Sequence, residues 1–333
     1  MQLPVYKHPS LTVLIDDSDS FLRSLSFQLD PLLARKTFHD TNSAMRWLQQ
    51  HERRGGPPLE ANYDAPNLPP EHCNVAVDIE RIYRISGQPQ RFATPSVLVV
   101  DYSMPQMNGI ELCEALRHLP CKKILFTGAA DEKIAVGAFN RGLIDRYIKK
   151  SDDDALDTLE LEIHALQTEF FAEQSETLRE LLVPHHYPFL SDPALTAVVQ
   201  ELIRSNGFVE HYLFPNPSGI LFLDREGKAT LMIIETEKSL RAQYEIARDS
   251  DAPPSLLAAL LEQRVIPFFS DADGDGMYSS AIGENWYRYC SAPQLCQGGE
   301  TYFWALFPLP AHYFDAPVLS YAEYLRTHQV QRD

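Results

Sequence analysis

Two short apolar runs, Leu11-Thr12-Val13-Leu14-Ile15 and Ser96-Val97-Leu98-Val99-Val100, each stop at an aspartate: Asp16 (followed by Asp17) in the first case, Asp101 in the second. Runs with so little polar alternation do not suit a strand with one face in water, so both are expected to be covered on both sides. A helical pattern succeeds each run. Ser18 is placed to cap an amphipathic stretch over Phe21–Leu33, and Ile110–His118 comes after the second run. The same alternation continues with strand Arg35–His39, a helix from Thr41 to about His51, strand Lys123–Phe126, helix Asp131–Arg141 and strand Arg146–Lys149. Five alternations predict an α/β unit with one parallel sheet between two helical layers. Ligands of such sheets sit beyond the carboxyl ends of the strands, where Asp16, Asp17 and Asp101 lie.

The pattern is interrupted from about residue 55 to 95. The front half of this insertion is rich in proline and glycine and reads as loop. The back half, Val75–Ile85, places Val75, Ile79, Ile82 and Tyr83 at helical spacing, giving one extra helix on the unit's flank. Two roles stay open for it, a tolerated surface insertion or a dimer or partner surface. After residue 150 comes a stretch without proline or glycine in which Leu156, Leu159, Ile163, Leu166 and Phe170 alternate three and four apart, ending at Pro184. This a/d stripe fits either an amphipathic helix packed on its own domain or a helical seam between two chains. The expected organisation is therefore residues 10–150, a helical linker over 151–184, and a further domain over 185–333.

That last part opens with a helix near Pro193–Ser205 and a hairpin, Ile220–Asp224 with Ala229–Ile234 around Arg225-Glu226-Gly227-Lys228. Helices over Glu237–Arg248 and Pro254–Gln263 come next, then strands at Val265–Phe269, Trp286–Cys290 and Tyr302–Phe307. Strands, helices and strands again predict an α+β domain. The aromatics Trp286, Tyr287, Tyr289, Tyr302, Phe303 and Trp304 read as core and sheet face, with a ligand-lining role as the alternative.

Charge and composition exclude several functions. Lys and Arg number 29 against 46 Asp and Glu, a net charge of −17. Residues 185–333 alone carry ten basic and nineteen acidic side chains. A body so acidic repels a phosphate backbone, and no helix-turn-helix with a basic reading helix is present, which argues against nucleic acid. No apolar run approaches the roughly 18–20 residues of a membrane helix, and the first residues lack a secretory pattern. Five cysteines without a CxxC pair fit reduced thiols, hence a cytoplasmic protein.

Three tempting motifs lack their completion. Asp271–Gly276 copies half a calcium loop, but Ile282 stands where the bidentate glutamate belongs. Gly298-Gly299-Glu300 suits a hairpin turn better than a cyclase signature, and His185-His186 reads as an exposed pair rather than a metal site.

The chemistry lies in the first 150 residues. With the first and third strands adjacent, Asp16, Asp17 and Asp101 converge, and crowded carboxylates with oxygen-only ligation suit Mg²⁺ or Mn²⁺. The fourth strand ends in Phe126-Thr127-Gly128 and the fifth in Tyr147-Ile148-Lys149-Lys150. A carboxylate nucleophile, a dication, an ammonium and a hydroxyl are what an acyl-phosphate site needs. The Asp-Asp pair, the stretch Asp101-Tyr102-Ser103-Met104-Pro105-Gln106-Met107-Asn108-Gly109, Thr127-Gly128 and the lysine closing the fifth strand together resemble the CheY-like receiver domain of two-component response regulators. This resemblance implies a flavodoxin-like (βα)5 fold and phosphorelay function. It implies Asp101 as phosphoacceptor, Mg²⁺ on Asp16, Asp17, Asp101 and the Ser103 main-chain carbonyl, Thr127 and Lys150 on the phosphoryl oxygens, and Tyr147 as the switching aromatic. Lys149 is the register alternative to Lys150, and Ser151 replaces the family's usual proline.

The resemblance also implies a histidine kinase or phosphotransfer protein as partner, and receiver self-phosphorylation and dephosphorylation as the only catalysis. The hairpin Ser218–Thr230 resembles the opening of a PAS-type sensor domain, which implies a regulatory or dimerising module; with the acidic charge and the missing helix-turn-helix, a non-DNA-binding interaction output and a homodimer are the expectation. A DNA-binding output or a receiver-gated signalling enzyme is the alternative. In layout alone, a receiver with an uncommon C-terminal domain, the chain is similar to Lqs-type quorum-sensing regulators.

Overall fold

Backbone hydrogen bonding joins the five runs into one sheet, in which the three central runs are buried on both faces and the two edge runs, against expectation, are only partly buried. The structure, a computed structural model, describes residues 3–52, 59–61, 75–77, 79–128, 132–183, 187–270 and 276–329. In it β1 is Leu11–Ile15, α1 Asp19–Gln28, β2 Arg35–Phe38, α2 Thr41–Glu52, β3 Pro95–Val100 and α3 Gly109–Ala115. They are followed by β4 Lys122–Thr127, α4 Glu132–Asn140, β5 Arg146–Lys149 and α5 Ala155–Leu182. All strands are parallel in the order β2-β1-β3-β4-β5, so β1 and β3 are neighbours as expected. Helix α1 is shorter than its apolar pattern. Its C-cap Leu29 is extended and Pro31 stands two residues on, although Leu29 and Leu33 remain buried.

One sheet face carries Leu14, Val97, Val99, Ile124, Phe126 and Ile148 at a spacing of two along each strand. It packs against Leu22 and Leu25 of α1 and against Ala155, Leu159, Ile163 and Leu166 of α5. The stripe on α5 is thus consumed inside the chain rather than left for a seam between two chains. Truncating one of these leucines is expected to cost about 2–5 kcal/mol. Helix α5 is held by charge as well. Arg146 of β5 reaches Glu162 at 2.5 Å and Glu169 at 3.1 Å, and Lys122 of β4 reaches Glu173 at 2.5 Å. The compact unit formed by residues 9–57 and 90–174 therefore includes the first part of a helix expected as linker, and the closing segment from Tyr324 belongs to it too.

The second unit gathers residues up to His8, 58–89 and Ser175–Glu323. Here α6 is Pro193–Asn206, β6 Phe208–Phe214, β7 Gly219–Asp224, β8 Ala229–Thr236, α7 Glu237–Asp249 and α8 Pro254–Leu261. Strands β9 (Gln294–Gln297) and β10 (Thr301–Pro308) close it. An antiparallel six-stranded sheet runs Tyr6–Lys7, β6, β7, β8, β10, β9, which with its helices makes the expected α+β domain. The β7–β8 turn is built by Asp224, whose Oδ1 accepts from the N–H groups of Glu226 and Lys228, both at 2.9 Å. Gly227 there has φ +82°, which favours glycine. Gly298-Gly299-Glu300 is a hairpin turn between β9 and β10. Asp192 explains its composition. That carboxylate caps α6 through Ala194 N–H at 2.8 Å and accepts from Gly299 N–H at 2.7 Å, and a Cβ on Gly298 would lie 2.2 Å from its Oδ2.

Three local expectations are corrected. Val75–Val77 is a strand paired with Leu59–Ala61, and helix begins only at Glu80. That helix, Glu80–Arg84, belongs to the second unit and not to the receiver's, with the Tyr83 and Phe214 rings 4.8 Å apart. The expected strand Trp286–Cys290 is a 3-10 helix over Gly283–Tyr289, with only Cys290–Ser291 extended and paired to Ile266–Pro267. Trp286 and Tyr289 pack from that helix onto the cluster around Leu256, Leu260 and Phe269, so their spacing served one side of a tight helix. Residues 55–58, His185, His186 and 271–275 lie outside the described residues. Among the described residues no helix is long and apolar enough to cross a membrane.

Candidate functional site

The carboxyl ends of β1, β3, β4 and β5 meet, and the backbone fixes their relative heights. Asp101 N–H donates to the Ile15 carbonyl at 2.9 Å, and Lys150 N–H donates to the Thr127 carbonyl at 3.0 Å. Asp16 and Asp101 are 4% and 6% exposed. The Lys150 ammonium lies 2.5 Å from Asp16 Oδ2 and 2.7 Å from Asp101 Oδ1, so two buried carboxylates share one cation. Each is held from its other oxygen. Ser18 N–H donates to Asp16 Oδ1 at 2.9 Å, and Ser103 N–H donates to Asp101 Oδ2 at 2.6 Å. Two anions in a shielded pocket repel strongly unless paired, and the fixed N–H dipoles add to what the lysine supplies.

Lys149 points elsewhere, pairing with Glu132 at the surface. The two-lysine ambiguity of the sequence thus resolves in space: Lys150 reaches both carboxylates. Thr127 is buried at the end of β4 and Tyr147 is half-buried on β5. The three-acid convergence expected from the sequence is corrected. Asp17 is exposed, and among the described residues no group of three His, Cys, Asp or Glu side chains gathers closely enough to hold a metal ion. The reason is electrostatic. Lys150 offsets one of the two charges of the inner pair, and a third carboxylate there would add repulsion, so Asp17 remains in water.

Two residues that sequence reasoning missed shape the site. A Cβ on Gly109 would lie 2.1 Å from the Asp101 carbonyl oxygen, so only glycine lets the α3 terminus close on the loop. The signal was present as the Asn108-Gly109 pair, with Asn108 forming a capping box with Glu111. The other is Phe21, whose ring centroid is 4.0 Å from the Lys150 ammonium.

A family model, response regulator receiver domain, matches residues 76–159. It begins about midway through the insertion, so Asp16 lies outside the match and joins the site through the fold alone. The response regulator LqsR of Legionella pneumophila, a solved structure, is 31% identical, with 98% of this chain and 97% of that one covered and a TM-score of 0.76. The chain belongs to the Lqs-type response regulators. Its receiver is CheY-like, and the regulator acts in phosphorelay signalling. Other similar structures cover about half of it. An adenylate cyclase from Rhodopirellula baltica is 19% identical over 51% of this chain and 98% of its own, with a TM-score of 0.35. The receiver domain of an HD-domain-containing protein from Pseudomonas fluorescens is 20% identical over 48% and 98%, with a TM-score of 0.32. No curated protein matches the chain.

Proposed function

We propose that the regulator accepts a phosphoryl group on Asp101 from a histidine kinase or phosphotransfer protein, and that residues 185–333 pass the state on through protein contacts rather than DNA. The observation that carries this reading is the Lys150 ammonium shared by Asp16 and Asp101. An Asp101 oxygen attacks phosphorus, forming a P–O bond as the bond to the donor nitrogen breaks and its electrons return to the imidazole. Lys150, already in contact with Asp101, tracks the charge onto a phosphoryl oxygen. The Thr127 hydroxyl donates to another, and Tyr147 moves into the space Thr127 leaves.

Receivers of this family bind Mg²⁺, and the donor chemistry here suits it: two buried carboxylates and a neighbouring main-chain carbonyl, all oxygen. Asp16, Asp101 and the carbonyl of Ser103 would hold the ion, which when bound neutralises charge on the phosphoryl oxygens. An output acting on protein rather than nucleic acid is supported by the acidity of residues 185–333, ten basic against nineteen acidic side chains.

The test is labelling of the full chain by acetyl phosphate with Mg²⁺. Stoichiometric label is expected on the native protein and none on Asp101→Asn. Undiminished label on Asp101→Asn refutes the assignment. A salt-dependent shift of duplex DNA by the labelled protein would transfer the output to the DNA-binding alternative.

A further inference from the structure

The ammonium of Lys150 has a third neighbour besides its two carboxylates. The Phe21 ring centroid lies 4.0 Å from Nζ, and that of Phe126 lies 5.8 Å away. The two rings are tilted at 39° with centroids 6.2 Å apart, so they wall one side of the place the ammonium occupies. Phe126 is buried at the end of β4 and cannot move without the sheet. Phe21 is partly buried against the core shared by α1, α5 and the sheet. Its backbone is fixed by the same residue that fixes Asp16. Ser18 donates its N–H to Asp16 Oδ1 at 2.9 Å and accepts from Phe21 N–H on its hydroxyl at 3.3 Å. One short segment therefore offers the ammonium an anion and an aromatic face together.

We infer that Phe21 is a positioning residue for phosphoryl transfer, holding the Lys150 ammonium over Asp101 by a cation–π contact. This rests on the function proposed above. The physical argument concerns what holds Lys150 while its partners change. Lysine is a flexible four-carbon chain, and on phosphorylation the carboxylate charge it now contacts is redistributed. A ring face attracts the ammonium whatever the carboxylates are doing. It also covers part of the cation from water, which strengthens the remaining pairs. The spacing of the acids carries no hint of this role. An aromatic in the first turn of an amphipathic helix reads as ordinary core.

The experiment uses the full chain with Phe21 replaced by mono-, di- and trifluorinated phenylalanine, which drain the ring face of negative charge while keeping its shape. Phe21→Leu and Phe21→Tyr frame the series. Acetyl-phosphate labelling rates are expected to fall stepwise with fluorine. Phe21→Leu should fall by about three- to thirtyfold, the range spanned by such contacts, with Phe21→Tyr close to native. A purely structural ring predicts a flat fluorine series, and that result overturns the inference while leaving Asp101 as acceptor. A second readout is independent of phosphorylation. The resonance of the Lys150 ammonium protons is expected to be shifted by the ring current in the native protein and to lose that shift in Phe21→Leu. Should native protein take no label at all, the proposed function fails, and this resonance alone decides the contact: an unshifted signal in the native protein removes it.

Discussion

Burial of His211 makes the second unit's sheet acid-sensitive, by an amount that can be worked from the structure. His211 on β6 is 4% exposed, and its Nε2 lies 3.1 Å from the Pro4 carbonyl; a carbonyl only accepts, so Nε2 carries the proton of a neutral ring. Desolvation, opposed in part by that hydrogen bond and helped by the charge of Lys7, pushes its pKa down from 6.5 to about 4. The folded protein thus resists a proton that the unfolded chain takes up near pH 6.5. Stability contributed by the neutral ring is complete above pH 6.5 and is lost as pH falls toward 4. The loss at pH 4.5 comes to about 2.5 kcal/mol.

Glu235 works the other way. Burial raises its pKa, so protonation favours the fold as pH falls through that raised value. A comparison with His211→Gln, which keeps a donor for Pro4, cancels this contribution. Native-state hydrogen exchange of the segment Phe208–Phe214, corrected for intrinsic rates, reads local stability at pH 7 and pH 4.5. The native protein is expected to lose about 2.5 kcal/mol more than the variant between these values. Parallel losses in the two proteins would show that His211 does not titrate as its burial requires.

Two further substitutions test parts of the frame. Gly109→Ala forces a Cβ against the backbone of Asp101, so a loss of about 1–3 kcal/mol in receiver stability by urea unfolding is expected, with slower labelling; native stability would refute the close approach. Asp192→Ala removes the cap of α6 and its hold on the Gly299 turn together, with an expected loss of about 1–3 kcal/mol and faster exchange in both β9 and α6. Exchange confined to α6 would show that the turn stands without it.

The receiver was legible because its information is local. Strands β1 and β5 fall on the residues expected of them, and in the second unit the helices α6 and α7 likewise match their caps and spacing to within a residue. What escaped depends on contacts distant in sequence. Tyr6–Lys7 is a two-residue strand whose partner is Tyr212 and His211, and nothing near it in sequence signals pairing. The stripe on α5 has the same spacing whether it faces a second chain or its own sheet, and only the apolar face of Leu14, Val99 and Ile124 decides. The site divides likewise. Asp16 and Asp101 were plain from strand ends, whereas Lys150 over Lys149 and the exposure of Asp17 depend on where each side chain ends in space.

The edge strand at Tyr6–Lys7 sets an order on synthesis. Pro4 and His211, which it brings together, are 207 residues apart, so this strand leaves the ribosome long before its partner and is late to find its place. By then residues 9–57 and 90–174, the greater part of the receiver unit, have already emerged and are free to make their own short-range contacts before the segment from Tyr324 joins them. The second sheet must wait with its β6 edge bare until Tyr6–Lys7 pairs with it. Any bulky group fused close upstream of Tyr6 should therefore slow the maturation of the output unit while leaving the receiver's untouched.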